Sequence, residues 1–148
     1  MTELELKELL TSFESEHVER TRAFDKADKM GEAICAFAND IDNWGGGYVI
    51  LGVAEKDGKP VFPVKGLSEN EIDAINKELL EKCHLLDPVY LPVVEPVEFD
   101  GKQLLVIWVP GGPERPYKCP VAIRKDAKSE KAYYIRKMAS TVRASRID

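Results

Sequence analysis

Residues 30–58 read MGEAICAFANDIDNWGGGYVILGVAEKDG, and the reading of this stretch decides the fold. Met30, Ile34, Phe37 and Ile41 recur at helical spacing, with Ala33, Ala36 and Ala38 small enough to let neighbours approach. This predicts a helix over 25–41, capped by Asp25 or Asp28. Gly45, Gly46 and Gly47 break it. The apolar run 48–53, YVILGV, then has the continuous β-branched character of a strand buried on both faces. Gly52 inside that run implies a bulge or a close backbone approach. Lys56-Asp57-Gly58-Lys59 is a two-residue hairpin signal, with 60–64 as the returning strand. A glycine-rich loop can hold phosphate, but phosphate loops run from strand to helix, and this one runs from helix to strand. The triplet is therefore a geometric device.

On the N-terminal side, a helix is expected over 2–13. Thr2 and Glu5 form a capping box, and Leu6, Leu9, Leu10 and Phe13 make one stripe. The segment ESEHVERTRAF, 14–24, suggests a short strand near 17–22. That strand would carry Glu14, Glu16, Arg20 and Arg22 on one face and His17, Glu19 and Thr21 on the other. On the C-terminal side, Ser68 and Glu71 form a second capping box. It opens a helix whose stripe is Ile72, Ile75, Leu79 and Cys83, with His84 at its end as a capping or solvated residue. Pro92 and Pro96 mark 89–99 as an edge or interrupted strand. Asp100-Gly101 turns it into the apolar strand 103–109. A Pro/Gly-rich loop over 110–120 leads to two short strands at 121–124 and 132–136, and the terminus MASTVRASRID has no strong pattern.

The chain of 148 residues is long enough for one domain, 1–148, with its own core. No apolar run approaches the roughly 20 residues that span a membrane. The acidic, amphipathic N-terminus lacks the features of a secretory signal, so the expected location is the cytoplasm, with no membrane partner. Cys35, Cys83 and Cys119 have neither zinc nor disulfide spacing and read as reduced thiols, mostly core filler. Net charge is −5, unevenly spread. Residues 1–75 carry 8 basic and 16 acidic side chains, whereas residues 115–148 carry 10 and 3, a net of +7. Such asymmetry marks either a polyanion-binding face or a basic third that neutralises the acidic one.

Taken together, Glu14-Ser15-Glu16 with Glu19, then Ile34-Cys35-Ala36-Phe37-Ala38-Asn39, resemble the Schlafen AlbA_2 domain family. The match continues through the glycine triplet, Ile50-Leu51-Gly52-Val53, Asp57-Gly58, Arg115-Pro116-Tyr117, Tyr134-Ile135-Arg136 and Ser140-Thr141. The resemblance covers most of the chain in order. It implies an α/β (α+β) fold, a mixed sheet of about six strands packed with two to three helices. It also implies a domain that in bacteria often forms the N-terminal part of a longer regulator with an ATPase-like or winged-helix region behind. The chain departs from the family pattern at Arg20-Thr21, where Phe-Lys is usual, and at Ala139, where glycine is usual.

Two functions follow as expectations. The first is nucleic-acid binding, requiring no cofactor, through Arg115, Tyr117, Lys118, Arg124, Lys125, Lys131, Tyr133, Tyr134, Arg136, Lys137 and Arg143. In such a surface, cations neutralise phosphate and tyrosines stack on bases. The second comes from the resemblance, since some Schlafen proteins are metal-dependent RNA endonucleases. It would place Mg²⁺ or Mn²⁺ on Glu14, Glu19 and Asp57, or Glu55 in place of Asp57. A non-catalytic regulatory module forming a homodimer is the third expectation.

Overall fold

The main sheet is built around the predicted apolar strands. The computed structural model describes residues 3–11, 18–21, 27–41, 45–121, 130–137 and 140–144. In chain order the elements are α1 (Glu3–Thr11), β1 (Val18–Thr21), α2 (Ala27–Asn39), β2 (Gly47–Leu51), β3 (Glu55–Lys56) and β4 (Lys59–Pro60). They continue with α3 (Glu69–His84), β5 (Val93–Phe99), β6 (Lys102–Val109), β7 (Lys118–Pro120), β8 (Lys131–Lys137) and β9 (Ser140–Arg143). The four-stranded sheet has the order β1-β2-β6-β5. A three-stranded sheet has the order β7-β8-β9, and β3-β4 is a separate hairpin. β1 runs parallel to β2, and the remaining pairs are antiparallel. The class is mixed α+β, as expected, but the single expected sheet is divided into separate ones.

Period-two alternation gives the main sheet two apolar faces. Val49, Leu51, Leu105, Ile107 and Val109 join a core with α2, α3 and the inner side of the second sheet. Ile50, Leu104 and Val106 join a smaller core with Leu6 and Leu10 of α1. α2 packs on both sheets and on α3. Its apolar positions from Met30 to Ala38 are buried, with Ile34, Cys35 and Ala38 fully enclosed.

Local chemistry explains the joints. At Gly46, φ is 85°, and a Cβ there would collide with the Val109 carbonyl and with Pro110. The triplet thus lets the chain pass close to the end of β6. Gly52 has φ 103° and would press a Cβ to 2.8 Å from the Leu104 side chain. Ser68 Oγ accepts from the Glu71 amide at 3.2 Å, and the Glu71 carboxylate accepts from the Ser68 amide at 3.1 Å, completing the predicted capping box of α3. β5, which holds Pro96, lies at the edge of the sheet, as its prolines required.

Three expectations change. The returning strand after the Asp57-Gly58 turn is only Lys59–Pro60. β7 begins inside the expected loop, and β9 forms where no pattern was visible. The Thr2 and Asp25 caps lie outside the described residues. All three cysteines are free and buried. No helix among the described residues is long and apolar enough to cross a membrane.

Candidate functional site

The basic third of the chain converges on β8, KAYYIRK, whose burial alternates strictly. Ala132, Tyr134 and Arg136 point inward against α2, while Lys131 and Lys137 are exposed at either end of the opposite face, with Tyr133 and Ile135 between them. The strand therefore divides residues of the same chemistry between two environments.

Arg136 is 4% exposed. Its guanidinium donates to Glu19 Oε1 at 3.0 Å, to Thr141 Oγ1 at 3.1 Å and to the Val18 carbonyl at 3.4 Å, and it lies 5.1 Å from the Phe37 ring centroid. Cation, carboxylate and ring together tie β1 of the main sheet to β8 and β9. The expectation that Arg136 contacts phosphate is corrected: it is an internal cross-link. Tyr117, 2% exposed, and Tyr134, 7% exposed, are corrected likewise, because neither ring is presented for stacking. The Tyr117 ring meets Tyr90 edge-on at 5.3 Å. It occupies space that a Cβ at Gly112 would fill. Burial, with Glu32 nearby, pushes the Tyr134 hydroxyl up to about 12.

Asn39, at the end of α2, organises these inner residues. Its Nδ2 donates to the Tyr117 carbonyl at 3.1 Å and to the Tyr134 carbonyl at 2.8 Å, while its Oδ1 accepts from the Tyr117 amide. Cys35, one turn earlier, donates its thiol to the Tyr117 carbonyl at 3.2 Å. Burial pushes that thiol up to about 12, which keeps it protonated in its packed position. Sequence reading missed this clamp. A polar residue closing a run of otherwise apolar buried positions was the available signal.

The outer face of β7-β8-β9 is different. Lys118 stands opposite Tyr133, with its ammonium 5.1 Å from the ring centroid. Lys131 pairs with Pro120, Ile135 with Val142, and Lys137 with Ser140. Arg143 is exposed and meets the exposed Glu130 at 3.3 Å. Arg115 is partly exposed, 3.8 Å from Asp40. Arg124 and Lys125 lie outside the described residues.

Among the described residues, the carboxylates do not assemble as a metal site. Glu14 lies outside the described residues. Glu19 is held by Arg136, Glu55 sits on β3, and Asp57 is exposed in the β3–β4 turn with φ 55°. Glu19 Oε2 and Glu55 Oε2 are each buried without a hydrogen-bond partner among the described residues, on strands of different sheets. No group of three His, Cys, Asp or Glu able to hold a metal ion occurs among the described residues.

The family model described as Schlafen, AlbA_2 matches residues 14–145. A comparison with curated proteins found no significant match. Among the solved structures that share the fold are two of note. The first is the solution structure of the N-terminal domain of a Nitrosomonas europaea protein named for its relation to the ATP-dependent DNA helicase RecG. It has TM-score 0.58 and 27% identity, over 88% of this chain and 84% of that one. The second is the DIP2311 protein of Corynebacterium diphtheriae, with TM-score 0.54 and 21% identity over 87% of this chain. The match spans only 22% of the Corynebacterium chain.

Proposed function

The chain belongs to the Schlafen AlbA_2 family, and from that premise we propose that it is a nucleic-acid-binding module whose contact surface is the outer face of β7-β8-β9. The observation that carries this reading is the row of outward cations, Lys118, Lys131 and Lys137, set around Tyr133 on one small sheet. Lysines so placed would neutralise successive phosphates, and the inner residues keep the strand that bears them in register. Arg115 extends the positive field at its margin, and Arg143, which pairs with Tyr134 and so projects to the other face, adds exposed charge only from the edge strand β9. The helicase-related name of the Nitrosomonas neighbour agrees with a nucleic-acid role.

The test is fluorescence anisotropy with labelled single- and double-stranded oligonucleotides over a salt series. Three engaged lysines give a log–log slope of about −2.7 on duplex DNA and about −2.1 on a single strand. The double substitution Lys118→Glu with Lys137→Glu should weaken binding by at least tenfold. Absence of binding at low salt, or binding indifferent to salt, would remove this reading.

A further inference from the structure

The face of the main sheet turned away from α2 carries a second surface. α1 covers its centre through Leu6 and Leu10, which pack with Ile50, Leu104 and Val106. Toward the start of β2 and β5 the same face is open. There Tyr48, Trp108 and Val93 stand side by side across three strands, Trp108 being 43% and Val93 51% exposed. With Val106, Glu5 of α1 and Glu95 of β5 they line a groove of about 190 Å³.

The groove is apolar in its floor and anionic at its rim. Two aromatic rings and two valines offer contact to a hydrocarbon stem. Glu5 and Glu95 offer negative charge to whatever terminates that stem. An indole face attracts cations more strongly than other aromatic faces do. Both carboxylates already make contacts within the chain, and a carboxylate offers about four acceptor positions. A purely apolar segment would bury both carboxylates at a cost, and an acidic one would be repelled.

We propose that this groove docks a basic extended segment of a partner protein, which lays a lysine or arginine stem along Trp108 and Tyr48 and its charged end between Glu5 and Glu95. This surface lies on the opposite face of the main sheet from the second sheet, so partner docking and nucleic-acid contact use separate parts of the domain, and neither proposal depends on the other.

The test is NMR titration of the ¹⁵N-labelled protein with the capped peptide GVKVKVG and with the same peptide acetylated on both lysines. The expected result is saturable shifts of the Trp108 indole N–H and of the Tyr48, Val93 and Glu95 amides. The acetylated peptide should bind about tenfold or more weakly, since it keeps the stem and loses the charge. Glu95→Gln should weaken the lysine peptide while leaving distant resonances in place. Equal binding of the two peptides, an unchanged Trp108 signal, or shifts confined to other residues would each overturn the proposal. Shifts of these residues with protein concentration alone would also overturn it, assigning the groove to a second copy of the chain.

Discussion

Tyr133 and Tyr134 are neighbours in the chain, as are Arg136 and Lys137, yet each pair is split between two solvents. Tyr134 and Arg136 face α2, and water scarcely reaches them. Their polar groups must be matched inside the protein, because an unmatched buried charge or amide is costly. Tyr133 and Lys137 face outward, Tyr133 with the Lys118 ammonium 5.1 Å from its ring centroid. The same letters thus hold the domain together on one face and remain open to a ligand on the other. Residue type alone does not mark a binding surface; the parity of the strand does.

The sharpest way to break this contrast is Arg136→Ala. It leaves Glu19 without its cation and should cost about 3–5 kcal/mol of stability in urea denaturation. A loss below about 1 kcal/mol would show that the inner face is not structural in the sense argued here. Asn39→Ala follows at about 3 kcal/mol, since it strips partners from backbone groups of both Tyr117 and Tyr134. On the outer face, Lys118→Glu with Lys137→Glu should leave stability within about 0.5 kcal/mol per site. Oligonucleotide affinity should nevertheless fall tenfold or more. A domain that unfolds instead would erase the distinction.

A further effect, confined to conditions far from neutrality, is in alkali. The folded Tyr134 hydroxyl titrates at about 12 and the Cys35 thiol at about 12, both above their ordinary values because burial disfavours the anion. The unfolded chain therefore releases these protons first, near 10 for tyrosine and 9 for cysteine. The contribution from Tyr134 is fully present below pH ~10 and is lost as pH rises toward ~12; that from Cys35 begins to fall from pH ~9. Tyr134→Phe should flatten the upper part of that decline in a pH series of denaturation curves. An unchanged slope between pH ~10 and ~12 would place the hydroxyl outside the inner environment.

Much of the frame was readable because its causes are local. The Ser68–Glu71 box needs only four consecutive positions, and the Asp-Gly turns need only two. Gly46 and Gly52 reported close approach through the absence of a side chain. The edge position of β5 followed from proline lacking an N–H. The pairing of Glu19 with Arg136 was not readable, because 117 residues separate them and arginines nearer in sequence were equally plausible partners. Strand β8 shows the limit most clearly. A short strand was visible at 132–136, but tyrosine and a cation occur on both parities, so only the packing against α2 decides which face is inside. β9 escaped for a related reason: Ser140–Arg143 has mixed character and pairs through backbone bonds to β8.

Between elements Asn39 grips main-chain atoms, one amide and two carbonyls, and within its own helix it meets the Cys35 sulfur. Position 117 must supply an N–H, which excludes proline there, but the clamp is otherwise blind to which residues the strands carry. Over generations, positions 118, 131, 133 and 137 are therefore free to drift in charge, size and shape while the strands keep their seats. A lineage built on this joint can change what it touches without first reinventing how it stands.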